Sequence, residues 1–423
     1  MLLLSPLSLL LLAGSLVSAN PIDPILINPS NPGSDTNAIL RVKTPVPGRY
    51  IVKLKSTTSS NGRQASPAYS GITDRWSAGA FSGFAGNFSA STLERLLASP
   101  DVEYIEEDGI VSISSEPGVR TLEARSAQVV ATQTDATWGL ARISQDAKLA
   151  NQDTTALFTY TYGVQGGSGV DIYVLDTGVY IEHSEFGGRA RYGFTAGSYP
   201  STDGNGHGTH CAGVAAGKRF GVAKQANIIS VKILSDAGSG SFSDIISGIN
   251  YVVQSARASG RPSVILAPIG GGASTALDNA VVAAVSSGVH FVTTAGNSAT
   301  DASQFSPARV PAAITVAAMT IADGVVSSSN YGSVIDVFAP GQNILSAWIG
   351  SPTATATISG GSPAASFVAG LIAYFLSVVG PLTPAGVSNA LATTSVKDAL
   401  TGVRAGTANR LASNNVARLG IIL

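Results

Sequence analysis

The sequence predicts an α/β protein with a mostly parallel central sheet covered by helices on both faces, preceded by a small α+β unit. From residue 138 onward, short apolar runs alternate with helical stretches, the pattern of a parallel sheet. Polar residues fit for chemistry stand just past the ends of those runs, where open α/β sheets bind ligands. Between residues 114 and 137 the periodicity lapses into a stretch rich in Ser, Ala, Gln and Thr, which reads as a linker between two units.

Taken in order, residues 1–19 form an apolar run ending Val17-Ser18-Ala19. Small residues at that end suit a signal peptidase, so a signal peptide cleaved before Asn20 is expected, with export to the extracellular space. Residues 20–40, rich in Pro and Asn, read as a leader. Gly48 to Leu54 alternates as a strand, 88–98 carries a helical pattern through Leu93, Leu96 and Leu97, and Val102 to Ile113 reads as a strand pair turning at Asp108-Gly109. These elements define a unit at about 45–113 within a segment 20–130. In residues 131–423, strands are expected at Val170–Leu175, Ile228–Ile233, Val264–Ile269 and His290–Thr294. Helices are expected at 209–217, 243–257, 276–287, 362–378 and 384–393.

Composition narrows the function. Of 423 residues, 44% are hydrophobic and only 12% charged, as in a well-packed globular chain. Residues 1–130 hold 11 acidic and 10 basic residues, and 131–423 hold 15 of each, so neither part has the positive excess of a nucleic-acid binder. No apolar stretch after residue 19 is long enough and free enough of polar residues to predict a membrane span. Cys211 is the single cysteine, so no internal disulfide can form.

Three residues in glycine-rich frames could carry covalent acyl transfer: Asp176 in D-T-G, His210 in G-H-G-T-H-C-A-G, and Ser362 in G-G-S-P-A-A. Asp176 ends an apolar strand, and a buried carboxylate there needs a partner. An imidazole N–H would satisfy it and turn the other ring nitrogen toward a serine. His210 is assigned that base, and His207 the part of a hydrogen-bonded turn residue. Ser362 precedes Pro363 at the start of an apolar helix, where backbone amides favour developing negative charge. Asn297, after Gly296 at a strand end, could donate its amide to an oxyanion, with the Ser362 N–H as second donor. The α/β-hydrolase scaffold is excluded, because it needs the serine first and a G-x-S-x-G frame.

These motifs together resemble the subtilisin-like serine peptidases, with most likeness to the fungal proteinase K group. The segments that carry the resemblance are Trp138-Gly139-Leu140-Ala141-Arg142-Ile143-Ser144, Asp176-Thr177-Gly178, and Asp203-Gly204-Asn205-Gly206-His207-Gly208-Thr209-His210-Cys211-Ala212-Gly213. Ala295-Gly296-Asn297, Ser329-Asn330-Tyr331-Gly332-Ser333 and the Ser362 segment through Val368-Ala369-Gly370 continue it. The resemblance covers 131–423 and implies a three-layer subtilisin-like fold. It implies that 45–113 is a ferredoxin-like inhibitory propeptide of a zymogen, removed near Val130-Ala131, and that the partners are protein substrates and the chain's own propeptide. It further implies a secreted, monomeric endopeptidase with a triad of Asp176, His210 and Ser362, Asn297 in the oxyanion hole, and Cys211 as a buried thiol beneath the histidine. Substrate is expected to add as a strand between Gly238-Ser239-Gly240 and Pro268-Ile269-Gly270. Phe242 and Ile269 would line apolar subsites, and 293–296 including Gly296 a pocket wall that favours apolar or aromatic side chains. One structural calcium is expected on Asp336 with the carbonyls of Pro311 and Ala313. A second, weaker site does not carry over cleanly, since only Asp146 matches and Asp398 is merely near. The chain departs from the family at Gly361, Pro363, Ser366 and Phe367 around the serine, and at Pro268. The rival reading is therefore an inactive relative acting as a binding protein.

Overall fold

Alternating apolar residues first build a small sheet, antiparallel except for its first strand. The computed structural model describes residues 39–55, 69–76, 81–113, 116–118 and 132–415. The expected signal peptide and the Val130-Ala131 junction lie outside the described residues. Strands β1 (Ile39–Leu40), β2 (Pro45–Leu54), β3 (Ile72–Trp76), β4 (Gly83–Asn87) and β5 (Val102–Ser112) lie in the order β1-β5-β2-β4-β3. Helix α1 (Ala90–Leu97) starts at the N-cap Ser89 and buries Leu93 and Leu96 against Val52, Phe84 and Ile105.

The expected strand pair at 102–113 is one continuous strand. Gly109 marks a close approach and not a turn: a Cβ there would lie 2.3 Å from the Phe242 ring. Strand β4 was hidden because glycines interrupt its pattern, and β3 because charged Asp74 and Arg75 break its apolar run. At Gly83 and Gly86 a Cβ would sit 2.1 and 2.2 Å from backbone oxygens of neighbouring segments. Beyond β5, β6 (Glu116–Gly118) runs onto the larger unit.

The larger unit begins with β7 (Thr132–Ala136), α2 (Trp138–Ile143) and β8 (Phe158–Thr161). Then come β9 (Asp171–Asp176), β10 (Ala190–Thr195), α3 (His207–Ala216), β11 (Asn227–Lys232), β12 (Ser239–Ser241) and α4 (Phe242–Ser259). Next are β13 (Ser263–Ala267), β14 (Gly270–Gly272), α5 (Thr275–Ser286), β15 (His290–Thr294), β16 (Phe305–Ser306), β17 (Ile314–Met319) and β18 (Val337–Pro340). The chain closes with β19 (Ile344–Ala347), β20 (Thr355–Ser359), α6 (Gly361–Val378), α7 (Pro384–Thr394), β21 (Val396–Lys397) and β22 (Arg410–Leu411).

The central sheet runs β10-β11-β9-β13-β15-β17-β18-β22-β21, parallel except where β21 meets β22. Helices α4 and α5 pack on one face over Tyr173, Leu175, Val231 and Ile265. Helices α3 and α6 pack on the other over Ile172, Val174, Val264 and Leu266. This is the expected three-layer, subtilisin-like α/β architecture. Strands β10, β17 and β18 were not anticipated. Helix α6 is apolar on every side because it is a core helix, wedged between sheet and α3. Gly370 permits that approach, since a Cβ there would meet the Ala215 carbonyl oxygen at 2.6 Å.

The N-terminal sheet docks on α4 and α5. Ile51, Trp76, Phe81, Ala85 and Val111 share one core with Phe242, Ile245, Ile246 and Leu277. Trp76 Nε1 donates to Ser247 Oγ at 2.9 Å, and the Phe81 N–H to Asn250 Oδ1 at 3.1 Å. Two carboxylates of β5 also cap the two helices. Asp108 accepts the Ser243 N–H at 3.1 Å, and Glu106 the Ala276 N–H at 3.0 Å, so each helix N-terminus meets a negative charge from the other unit. Burial raises the Glu106 carboxyl to about 7, against the hydrogen bonds from Ser274 and Ala276 that lower it.

Candidate active site

Parallel strands end together, so their following loops converge. β9 delivers Asp176, β13 delivers Pro268 and β15 delivers Gly296 and Asn297 to the same edge of the sheet. Asp176 is fully buried. Its Oδ1 accepts the Thr177 N–H at 2.6 Å, and both carboxylate oxygens lie 2.8 Å from Nδ1 of His207.

This corrects the expected pairing. His207, and not His210, is the partner of Asp176. His207 opens α3 after Gly206, whose φ of 100° turns the chain into the helix. Gly208 lets the Gly178 carbonyl oxygen pass 2.0 Å from where a Cβ would be. The two glycines thus frame His207, a signal present in the sequence but credited to the wrong histidine. Burial disfavours the charged His207 ring, but the Asp176 carboxylate outweighs it and holds the imidazolium well above the usual histidine value. Nε2 of His207 is buried with no hydrogen-bond partner among the described residues.

His210 lies one turn further, under the site. Its Nε2 donates to the Ile344 carbonyl at 2.9 Å, and its ring meets Trp348 edge-on at 6.3 Å. Burial pushes its pKa down to about 3, and the neighbouring His207 charge adds to this. A ring that stays neutral and spends its N–H on a core carbonyl is a structural residue. Cys211 is a buried free thiol, Sγ 4.0 Å from His207 Nδ1.

Ser362 is the second residue of α6 and is buried, with Oγ donating to the Pro268 carbonyl at 3.2 Å. Proline at 268 costs a strand N–H but keeps this carbonyl. Asn297 Oδ1 accepts the Gly361 N–H at 2.9 Å, which orients its amide with Nδ2 as the donor end. Gly361 is required by its neighbour: a Cβ there would lie 2.0 Å from Thr294 Oγ1.

Several positioning residues escaped the sequence reading. Asp203 is buried, and its Oδ1 accepts from Thr177 Oγ1, Asn205 N and Gly206 N at 2.9, 3.0 and 2.8 Å. Its Oδ2 accepts from Thr209 N and Oγ1 at 3.0 and 2.6 Å. One carboxylate therefore ties the residue after Asp176 to the first turn that bears His207. Asn330 does the same behind Asn297. It donates to the Ala295 carbonyl at 2.8 Å and accepts the N–H groups of Ser298 and Thr300 at 2.9 and 3.1 Å. Both lie in motifs quoted above, but their role depends on contacts across loops.

The expected substrate segments are the two edges of a cleft filled by β5. Val111 pairs with Gly240 on one side and Gly271 on the other, and Ser112 with Ser239 and Gly270. The Ile113 N–H donates to the Gly238 carbonyl at 3.1 Å. Phe242 and Ile269 are buried beneath. The wall at 293–296 is small and uncharged, with Thr293 Oγ1 3.4 Å from the Ile269 carbonyl.

Of the residues expected to hold calcium, Asp336 bonds to the start of β17. Asp336 Oδ2 accepts the Thr315 N–H at 2.8 Å, two residues beyond Ala313 in the chain. Burial raises the Asp336 carboxyl to about 6, and Arg410 offsets this only in part.

Comparison with known proteins places this geometry. A family model described as the Subtilase family matches residues 167–418, and one described as Peptidase inhibitor I9 matches 49–114. The chain is 43% identical over 350 residues to subtilisin-like protease 2 of Pseudogymnoascus destructans, covering 82% of this chain and 81% of that protein. It is 41% identical over 350 residues to a cuticle-degrading serine protease of Arthrobotrys oligospora, covering 81% and 80%. Among solved structures it resembles a cold-adapted subtilisin-like serine proteinase, with TM-score 0.61 and 43% identity over 66% of this chain and 99% of that one. The chain belongs to the subtilase family of serine endopeptidases and carries the family's I9 inhibitor domain ahead of the peptidase domain, the make-up of a zymogen.

Proposed function

We propose that this subtilase hydrolyses peptide bonds through an acyl-enzyme on Ser362, with His207 as general base and Asp176 as its orienting acid. The observation that carries the reading is the contact of both Asp176 oxygens with Nδ1 of His207, which leaves the buried Nε2 as the nitrogen that exchanges protons. Ser362 Oγ attacks the substrate carbonyl while His207 takes its proton. Asn297 Nδ2 and the Ser362 N–H at the start of α6 receive the oxyanion. His207 then protonates the leaving amine, and water releases the acyl group by the same route.

Substrate adds as a strand between β12 and β14, in the place β5 holds. The small, uncharged wall at 293–296 favours apolar or aromatic side chains before the cut. The mature enzyme begins near Ala131, acts outside the cell as a monomer, and carries one calcium on Asp336, Pro311 and Ala313 that stabilises the loop before β17 and takes no part in the chemistry. A serine-directed phosphonate tests the reading. Propeptide-free wild type should be labelled on Ser362, and His207→Ala should lose that labelling while His210→Ala keeps it. Folded, propeptide-free protein that takes no label would refute it.

A further inference from the structure

Two loops close on a cavity that none of Asp176, His207, Ser362 and Asn297 lines. Residues 325–331 form one wall and 402–407 the other, and hydrogen bonds lace the two loops together at both ends. The Val325 N–H donates to the Thr401 carbonyl at 3.1 Å, and the Gly332 N–H to Thr407 Oγ1 at 2.9 Å. The Thr401 N–H donates in turn to the Asp323 carbonyl at 2.8 Å, and Arg142 holds the Asp323 carboxylate through bonds of 2.8 and 3.0 Å. The space is therefore built into the fold, as ligand pockets are. It measures about 180 Å³. A dry cavity of roughly 150 Å³ holds benzene, so this one has room for a side chain the size of leucine.

Its chemistry is mixed. Val325, Val326 and Phe338 line it with apolar groups, and Ser327, Arg404 and Thr407 bring hydroxyls and a guanidinium to the same space. The Arg404 guanidinium lies 4.3 Å from the centre of the Tyr331 ring. A ring face holds the guanidinium but supplies no acceptor oxygen. Arg49, Arg142 and Arg309 each pair with a carboxylate, whereas Arg404 has no such partner among the described residues. Arg404 is exposed, so a ligand can reach it from solvent.

An apolar pocket beside an unpaired guanidinium fits an apolar group that carries a carboxylate. Inorganic phosphate would leave the apolar side empty, and an uncharged apolar compound would leave the guanidinium unused. Resting on the peptidase reading above for the source of the ligand, we propose that this cavity binds the C-terminal residue of a peptide that ends in an apolar side chain. Cleavage after apolar residues releases such peptides, so the site takes the enzyme's own product. The side chain enters between Val325, Val326 and Phe338, and the terminal carboxylate pairs with Arg404. The rest of the peptide leaves toward solvent past Ser327, which is exposed.

The test uses the full-length chain with Ser362→Ala, so that the precursor stays whole with β5 between β12 and β14. It is titrated by calorimetry with N-acetyl-leucine, with N-acetyl-leucinamide and with a tripeptide ending in leucine. The acid and the tripeptide should bind saturably at one site, and the amide about tenfold or more weaker, since it lacks the charge-assisted pair. Arg404→Gln should weaken the acid to the level of the amide and leave the amide unchanged. Ser327→Trp, which puts a large ring on the exposed rim, should weaken all three, and both variants should melt with their parent. No saturable binding, equal binding of acid and amide, or binding that survives both substitutions overturns the proposal. A tripeptide that fails to bind where acetyl-leucine binds overturns the assignment to a peptide terminus. The peptidase reading fails separately, through wild type that takes no phosphonate label. Arg404-dependent binding by such a protein would refute that reading and leave the cavity site standing.

Discussion

Thr294 Oγ1 stands 2.0 Å from the position of a side chain at Gly361, so these two residues are a complementary pair at the mouth of the site. The departure at 361, next to the proposed nucleophile Ser362, is answered by the residue that fills its space. Gly361→Thr should therefore lower kcat about tenfold or more by displacing the turn that aims Ser362, an overpacking effect. Thr294→Ala combined with Gly361→Thr should recover most of that loss, because the remaining neighbours then lie 3.3 Å or more away. A double mutant no better than Gly361→Thr alone would show that the two do not exchange volume.

The histidines should separate cleanly in kinetics. His207→Ala should cost about 10⁴-fold or more in kcat with folding intact. His210→Ala should lose the bond to Ile344 and lower the melting temperature, with kcat changed by less than about tenfold. The reverse outcome would return the base to His210.

The base must be neutral to take a proton. Asp176 raises the His207 pKa above the ordinary value, so the acid limb of kcat/KM should lie above that of a free imidazole. Activity should rise with pH through neutrality toward an alkaline plateau. Asp176→Asn should remove the stabilising charge, lower kcat and move that limb to lower pH. A pH profile flat from about 5 upward would contradict the raised pKa.

Asp203 joins the loop after Asp176 to the turn that bears His207. Asp203→Asn keeps the shape but weakens the five hydrogen bonds that join Thr177 to the turn of His207. The expected result is a fall in kcat of about tenfold to a hundredfold at nearly constant KM, together with a shift of the acid limb. A loss of melting temperature with an unchanged pH profile would make Asp203 a structural residue only.

Calcium should report through stability. Adding a chelator to phosphonate-blocked enzyme should lower its melting temperature, and added calcium should restore it, since an ion bound only by the folded form stabilises it. Asp336→Ala should lose the response. Unchanged melting together with no calcium by elemental analysis would leave Asp336 bonded to Thr315 alone.

The layer architecture was readable because strands buried on both faces keep continuous apolar runs. His290 to Thr294 is the same strand in sequence and structure, and the helices at 242–259, 275–286, 361–378 and 384–394 lie within a few residues of their expected bounds. What was missed had a cause in each instance. β4 carries glycines at 83 and 86 where neighbouring backbone crosses, which erases alternation. Gly109 looks like a turn residue but is small because Phe242 lies over it. Asp203 and Asn330 read as loop residues, for their partners are far along the chain or across a turn.

The sequence by itself determined the residue types and their order, because an acid at a strand end, a histidine in a glycine frame and a serine at a helix start are all set locally. It could not decide between two histidines three residues apart. On a helix that offset is about 60° of rotation and about 4.5 Å of rise, a small change in sequence and a large one in direction. Only the tertiary structure decided it, by placing the end of β9 beside the first residue of α3, so that His207 faces the Asp176 carboxylate and His210 faces the core carbonyl of Ile344.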